Sequence, residues 1–154
     1  MAEKKDNLIN FKIATPERVV FKDEVEQITL PTKMGEITVL PNHIPLISAL
    51  VPGEVIVKKQ NVVRAMSVSG GFIEVQAEKV VVLADTAEKA EEIDIKRAEE
   101  AKDRAAKAMN EKKMDAVQFA ALAAQIEKEM ARIRVGRKYK RVEQAGRTPK
   151  YKAE

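Results

Sequence analysis

The sequence contains no cysteine and only one histidine, and these two scarcities limit its chemistry. Without cysteine, a disulfide scaffold, a zinc site built on thiolates and a thiol nucleophile are all excluded. With one histidine, a Cys/His-rich metal cluster or a multi-histidine catalytic site cannot form. We therefore predict no metal site.

A long hydrophobic run is also missing. The longest stretch without a formal charge extends from Ile37 to Gly53, and it contains three prolines together with Asn42 and His43. Because prolines break helices, this stretch cannot form a membrane-spanning helix. Met1 to Lys12 is charged and lacks an apolar core segment, which excludes a secretory signal. We expect a soluble, intracellular protein.

The composition of the 154-residue chain changes near residue 85. Residues 1–85 hold 14 valines and 6 alanines, whereas residues 86–154 hold 3 valines and 15 alanines. Valine favours strands and alanine favours helices, so the two parts differ in structure. The net charge of +4 divides too, into −1 over residues 1–85, −2 over 86–131 and +7 over 132–154.

The first part predicts short strands separated by turns, a pattern typical of a β-sandwich or a flattened barrel. Glu24–Leu30 is predicted as one strand that ends at Pro31. Strict alternation places Val25 and Ile28 on opposite faces, so this strand needs a bulge or burial on both sides. Lys59–Asn61 and Ala77–Lys79 are predicted hairpin turns.

The second part predicts two amphipathic helices joined by a short loop, because apolar residues recur there every three or four positions. Asp115 is followed three residues later by Gln118, which is the spacing of a capping box at the start of the second helix. The predicted stripes are Ile95, Ala98, Ala101, Ala105 and Ala108, then Phe119, Leu122, Ile126, Met130 and Ile133. The first stripe buries little area, so the hairpin is a plausible moving part.

The predicted fold class is therefore α+β, mostly β and then α. It comprises an N-terminal β-sandwich over residues 1–85, a two-helix antiparallel hairpin over 86–135 and a disordered basic tail over 136–154.

Three segments carry a resemblance to a known family. Gly35–Leu50, Ser69–Val75 and Val82–Ala87 are similar, in order and spacing, to signatures of the epsilon subunit of bacterial and chloroplast F-type ATP synthases. The resemblance covers roughly residues 8–135. Asn42 stands where the family usually has glycine, and since Asn tolerates a positive φ, the turn survives.

The resemblance implies a non-catalytic subunit of the central stalk, on the cytoplasmic side of a bacterial membrane. Such a subunit couples the gamma subunit to the membrane c-ring in proton-driven ATP synthesis, and it touches the membrane only through that ring. It also inhibits ATP hydrolysis when its hairpin extends along gamma into the head formed by the alpha and beta subunits. No cofactor is required.

Glu36 and His43 lie in the region that resembles the loops facing the c-ring. The resemblance implies polar contacts of both residues with gamma and the ring. The alternative is that His43 is an ordinary turn residue and Glu36 is solvated.

Residues Ile93–Ala98 match a motif through which some bacterial members bind ATP on the folded hairpin. The resemblance implies six nucleotide-binding residues, with ATP as a regulatory ligand: Glu88, Asp94, Arg97, Arg104, Lys128 and Arg132. Lys128 stands where a binding member has Arg, so the planar bidentate fork is lost there. The alternative is that Asp94 is a helix-start acid paired locally with Arg97.

The basic end of the chain has several possible functional interpretations. The resemblance implies that Arg132 and Arg134 meet acidic segments of the beta subunits. The alternatives are a solvated tail or a tail attracted loosely to anionic lipid near the membrane. A nucleic-acid-binding module is a competing function, although Tyr139 and Tyr151 alone offer stacking there. An enzyme would have only Ser67, Ser69 and His43 as a nucleophile and base, with no orienting acid.

Overall fold

The computed structural model describes residues 7–111 and 113–146, which form ten strands followed by two helices. The strands are β1 (Ile9–Ala14), β2 (Val19–Val25), β3 (Gln27–Thr32), β4 (Gly35–Val39), β5 (Leu46–Leu50), β6 (Gly53–Lys59), β7 (Val62–Val68), β8 (Gly71–Val75), β9 (Lys79–Ala84) and β10 (Ala87–Lys89). A 3-10 turn at Ala90–Glu92 leads to helices α1 (Ile95–Glu111) and α2 (Ala116–Gln144). This order confirms the predicted α+β class.

One continuous sheet bends around the core of the β-domain. The strands follow the order β10-β7-β6-β3-β5-β8-β9-β1-β2, and β4 pairs with β3 off this path. The two ends of the path approach each other, because β2 contacts both β6 and β10. The enclosed core is aliphatic with two phenylalanines, and its largest fully buried side chains include Phe11, Ile9, Ile13, Ile28, Leu30, Met66 and Ile73.

An ionic contact reinforces the place where the two ends of the sheet meet. Asp23 on β2 accepts hydrogen bonds from Lys59 Nζ at 2.7 Å and from an Arg64 guanidinium nitrogen at 3.2 Å. Burial raises the pKa of Asp23, but the bonds from Lys59 and from the Glu24 N–H, with the charges of Lys59 and Arg64, outweigh it. The pKa therefore lies below its ordinary value.

Local turn chemistry behaves as the sequence predicts. Asn42 has a φ of 63°, so asparagine supplies the left-handed turn in place of glycine. The β6–β7 hairpin turns at Gln60 and Asn61, which also have positive φ values of 48° and 63°. Two successive residues of this kind match the twist of a hairpin.

The prediction of one strand at Glu24–Leu30 is wrong. The chain bends at Glu26 between β2 and β3, so Val25 and Ile28 are buried from two separate strands. The backbone N–H of Glu26 donates to the carbonyl of Lys58 at 2.9 Å, which ties the bend to β6. Pro31 does not end β3, because the strand continues through Thr32. The sheet also continues past residue 85, since β10 pairs antiparallel with β7.

The two helices form the predicted antiparallel hairpin. Asp115 caps α2 through a capping box with Gln118, as predicted. Ala98 and Ala105 are buried, so the small-residue stripe does allow the helices to approach closely. The ion pair between Glu99, early in α1, and Arg137, late in α2, reflects the antiparallel arrangement.

The bulky stripe of the second helix is only partly a packing surface. Ile133 is buried, and Leu122 and Ile126 are half-buried, but Phe119 and Met130 are 52% and 50% exposed. The predicted stripe is therefore a packing surface at Leu122, Ile126 and Ile133 more than at Phe119 and Met130. The facing stripe of α1 is mostly alanine, which offers little surface to large side chains.

The predicted disordered tail from residue 136 is wrong as far as Gln144, because α2 continues to that residue. The part of this predicted tail from residue 147 onward lies outside the described residues. Gly136, which the sequence suggests as a helix breaker, is buried in the helix. An added Cβ there would lie 2.9 Å from Ile95 Cγ1 and 3.1 Å from Ile93 Cγ2. Glycine therefore allows close packing at this point.

The end of α2 docks on the β-domain through a small apolar cluster. Ala90, Ile93 and Val135 are buried together, with Ala65 and Tyr139 packed against them. Burial and the charges of two nearby glutamates raise the pKa of Tyr139. The hairpin thus lies folded against β6 and β7.

Candidate ligand cleft between the domains

A cleft of about 680 Å³ lies between the β-domain and the helical hairpin. One wall comes from the turn between β1 and β2, from β7 and from the residues leading into β10. The opposite wall comes from α1 and α2. The side chains that line it are Thr15, Glu17, Arg18, Ser67, Ser69, Asp85, Thr86, Ala87, Glu88, Glu92, Arg97, Ala101, Arg104, Lys128, Glu129 and Arg132. A ligand in this cleft would touch both domains at once.

The cleft brings together most of the residues that the resemblance assigns to nucleotide binding. Five of the six line it, and they come from β10, α1 and α2: Glu88, Arg97, Arg104, Lys128 and Arg132. These residues span 45 positions of sequence, from 88 to 132, and only the folded hairpin makes them neighbours.

Asp94 is the exception. Its Oδ1 accepts a hydrogen bond from the backbone N–H of Arg97 at 3.0 Å, and its carbonyl accepts from Ala98 at 3.0 Å. These two bonds make Asp94 the N-cap of α1. Its side chain does not line the cleft. The structure therefore gives Asp94 the role of a helix-start acid, though its partner is the backbone of Arg97.

Arg132 holds the hairpin against the β-domain. Its Nε and one terminal nitrogen donate to the two carboxylate oxygens of Glu88 on β10, at 2.7 and 3.3 Å. The other terminal nitrogen donates to Glu129, at 2.7 Å. Burial lowers the pKa of Arg132, but the two carboxylates outweigh it and raise that pKa above its ordinary value. A two-pronged arginine–carboxylate contact is among the stronger ion pairs in proteins.

The charges that line the cleft balance one another. The five cations are Arg18, Arg97, Arg104, Lys128 and Arg132, and the five carboxylates are Glu17, Asp85, Glu88, Glu92 and Glu129. Arg18 pairs with Glu92 at 3.5 Å. Within the described residues, Arg97, Arg104 and Lys128 form no ion pair through their side chains. These three cations remain available to an anionic ligand.

The hydroxyl groups of the cleft do not form a catalytic set. Ser69 Oγ accepts hydrogen bonds from the N–H and the hydroxyl of Thr86, at 3.0 and 2.8 Å. Ser67 is buried in the cleft wall. His43 does not line the cleft, and its Nδ1 lies 2.6 Å from the carbonyl oxygen of Ile44. The candidate nucleophiles and the single histidine are thus not assembled into one site.

Glu36 and His43 lie on the β-domain, away from the cleft. Glu36 is exposed near the start of β4, and His43 is half-buried in the turn after this strand. That turn is tied to the neighbouring loop, because Asn42 N donates to the carbonyl of Ala77 at 2.8 Å. The two predicted contact residues are separated by β4.

The basic end of α2 is partly engaged within the protein. Lys138 pairs with Glu54 on β6 at 2.8 Å, Arg137 pairs with Glu99, and Tyr139 packs against the apolar cluster. Arg134 is exposed. It lines a shallow groove of about 530 Å³ with Lys102, Met130, Ile133, Arg137, Lys138 and Arg141. Tyr139 is thus not free for base stacking, which weakens the nucleic-acid interpretation.

Sequence reasoning missed Glu129, Glu54 and the cleft wall around Ser67. Glu129 precedes Arg132 by three residues, a spacing that indicates an ion pair within one helix. The Glu54–Lys138 pair joins residues 84 positions apart, so no local pattern could indicate it.

Two further features of the described residues bear on function. No group of three or more His, Asp or Glu side chains there is placed to hold a metal ion. Neither α1 nor α2 has a stretch that is long and apolar enough to cross a bilayer.

The sequence matches two family models that together cover most of the chain. Residues 8–90 match the β-sandwich domain of the ATP synthase delta/epsilon chain, and residues 91–136 match its long α-helix domain. These two matches define the class of protein, a delta/epsilon chain of an ATP synthase.

Curated relatives narrow the class. The ATP synthase epsilon chain of Dehalococcoides mccartyi is 44% identical over 130 residues, which cover 84% of this chain and 93% of the relative. The epsilon chain of Chloroflexus aggregans is 43% identical over 133 residues, covering 86% and 94%. The chain therefore belongs to the ATP synthase delta/epsilon family, as an epsilon-type subunit of the central stalk.

Solved structures share the fold. A chain of the Euglena gracilis mitochondrial ATP synthase, solved with F1 and the c-ring, superposes with a TM-score of 0.70 at 23% identity, covering 81% of this chain and 79% of that one. A chain of the central stalk and c-ring of Tetrahymena thermophila mitochondrial ATP synthase gives a TM-score of 0.57 at 15% identity, covering 84% and 94%.

Proposed function

We propose that this chain is a non-catalytic subunit that couples gamma to the c-ring and brakes ATP hydrolysis, on the cytoplasmic side of a bacterial membrane. The β-domain is the anchor and the hairpin is the moving part. The observation that carries this proposal is the Arg132–Glu88 contact. Because it joins α2 to the β-domain, breaking it would allow the hairpin to leave the β-domain. The membrane is contacted only indirectly, through the c-ring.

The β-domain offers an apolar surface suited to an anchor. Phe72 on β8 and Leu83 on β9 are opposite each other in the sheet, and they are 62% and 60% exposed. Ile44 and Ile47 are exposed by more than 70%. Exposed apolar groups of this size mark interaction surfaces. The proposed occupants are gamma and the c-ring, with Glu36 and His43 supplying polar contacts.

The brake needs basic side chains that reach the alpha and beta subunits. Arg134 is exposed in the folded hairpin, whereas Arg132 is engaged by Glu88 and Glu129. In the proposed mechanism, release of Arg132 from Glu88 lets the extended hairpin carry Arg132 and the already exposed Arg134 to acidic segments of the beta subunits.

Truncation tests the brake. A stop after Met114 removes α2, and we expect ATP hydrolysis by the assembled complex to rise severalfold. A stop after Gly146 keeps α2 and serves as the matched control, with hydrolysis unchanged. Equal hydrolysis by all three complexes, each with the subunit bound, would refute the brake.

ATP is the proposed regulatory ligand of the cleft. Arg97, Arg104 and Lys128 supply cations for the phosphates, and the serine and threonine hydroxyls with the carboxylates supply partners for ribose and adenine. Because the walls come from both domains, bound ATP would favour the folded hairpin over the extended one.

Calorimetry with MgATP on the isolated subunit tests this ligand. We expect the parent chain to give binding heat. Arg104→Ala should lower the affinity for MgATP at least about tenfold, because a charged hydrogen bond is lost. Arg141→Ala, which alters an exposed arginine outside the cleft, is the control. No heat at millimolar MgATP would reject ATP as the ligand.

A further inference from the structure

Glu129 is a buried carboxylate in the wall of the cleft, and ligand binding by cations does not explain it. It is 5% exposed, and it is the single buried ionisable side chain within the described residues. A buried carboxylate is unfavourable unless it is paired. Its partner is the Arg132 guanidinium, which it accepts from at 2.7 Å.

The Glu129–Arg132 pair does not close the hairpin. Both residues lie on α2, three positions apart, so their contact is the same whether the hairpin is folded or extended. The bridge to the β-domain is the separate two-pronged contact between Arg132 and Glu88. Glu88 therefore links Arg132 to the β-domain, whereas Glu129 does not.

Glu129 instead affects the electrostatic charge that a ligand meets inside the cleft. Arg132 uses three of its five N–H donors on the two carboxylates. A phosphate group that approaches Arg132 meets a guanidinium already compensated by two negative charges. In a partly buried site, repulsion between Glu129 and the phosphate is weakly screened.

We infer that Glu129 is an affinity-determining residue of the cleft, whose carboxylate occupies the side of Arg132 that a ligand phosphate would otherwise take. Glu129 thereby lowers the affinity of the cleft for nucleoside polyphosphates. The inference rests on the proposed ligand role of the cleft. Arg97, Arg104 and Lys128 then bear most of the ligand charge, and the folded hairpin responds only to high ligand concentrations.

The test replaces Glu129 with an uncharged residue of the same shape. Glu129→Gln keeps an oxygen that accepts from Arg132, and it leaves the Glu88 bridge in place. Glu127→Gln, at an exposed position of the same helix, is the matched control. Glu129→Ala is a second variant for the case that the amide disturbs folding, and circular dichroism checks that each protein is folded.

Calorimetry with two probes, MgATP and inorganic tripolyphosphate, measures the effect on the full-length subunit. We expect Glu129→Gln and Glu129→Ala to bind both probes about tenfold more tightly than the parent chain, with Glu127→Gln unchanged. An affinity for tripolyphosphate equal to that of the parent, or no binding by either protein, would overturn the inference.

The two probes separate this inference from the proposed function. A gain for tripolyphosphate without any preference for MgATP supports the role of Glu129, and it rejects ATP as the ligand. Binding of MgATP by the parent chain without a gain in the Glu129 variants supports the ligand and rejects the role of Glu129.

Discussion

At the scale of single residues, similar side chains have different roles because of their neighbours. Asp94 and Glu88 are both acidic and both belong to the pattern that resembles a nucleotide site. Glu88 faces the cleft and binds Arg132, whereas Asp94 turns toward the backbone of its own helix. The sequence motif thus includes both a cleft-lining residue and a helix-capping residue, and only the geometry separates them.

The capping role of Asp94 gives a prediction. Asp94→Asn keeps an N-cap side chain, and we expect its affinity for MgATP and its stability to stay close to those of the parent chain. Asp94→Ala loses the cap, and we expect a loss of about 1 kcal/mol in the free energy of unfolding. Urea denaturation measures the stability and calorimetry the affinity.

The two variants distinguish the roles. If Asp94→Asn abolishes MgATP binding without changing stability, then Asp94 contacts the ligand through its charge, and its assignment as a cap alone is wrong.

At the scale of elements, predictions based on local chemistry agree with the structure. Asn42 forms a left-handed turn and Asp115 forms a capping box, since both outcomes depend on residues within a few positions. The end of α2 depends on distant residues. Gly136 and the basic run indicate a helix end, yet α2 continues to Gln144, and Gly136 lies where an added Cβ would meet Ile93 and Ile95.

In the candidate site, too, local sequence patterns predict only contacts between residues that are close in the sequence. Spacing on the helices indicates that Arg97 and Arg104 share a face, because they are seven residues apart. Spacing gives no sign that β10 supplies Glu88 to the same cleft, or that Lys138 reaches Glu54. Those contacts arise when the hairpin folds back on the sheet, and local sequence patterns do not encode that event.

The docked end of α2 gives a prediction about which contacts hold it. Val135 is buried beside Ile93, so we expect Val135→Ala to weaken docking by about 2 kcal/mol. The side chain of Lys138 is 56% exposed in its pair with Glu54, so Lys138→Ala should cost about 0.5 kcal/mol. Hydrogen exchange of the amides in residues 132–144 measures both effects. A larger effect of Lys138→Ala would mean that ion pairs, rather than apolar packing, hold α2 in place.

At the scale of the whole molecule, the two parts differ in the size of their buried apolar clusters. The β-domain encloses a continuous aliphatic core, whereas the hairpin has a few buried alanines and one small cluster at its docked end. The apolar cluster that attaches the hairpin to the β-domain is thus small, which suits the moving part of the proposed function. Elements that move are drawn from the less stable parts of a protein.

The basic excess of the sequence lies at its C-terminal end, which includes the last turns of α2. The excess of +7 over residues 132–154 begins at Arg132, the residue that bridges α2 to the β-domain. In the proposed mechanism, release of that bridge would free Arg132 from Glu88, beside Arg134, which is already exposed. Under the proposed function, the same contact would keep the hairpin folded and hold Arg132 back from acidic partners.

The most direct test of this account is the distance between the β-domain and the end of α2 in the assembled complex. Because the chain lacks cysteine, spin labels can be attached at Lys58→Cys and Lys140→Cys alone and measured by double electron–electron resonance. We predict one short distance in saturating MgATP. When hydrolysis is inhibited, we predict a second distance, longer by tens of ångströms, because α2 is on the order of 40 Å long. Glu88→Gln should favour the longer distance. A single unchanged distance in every state would contradict the account.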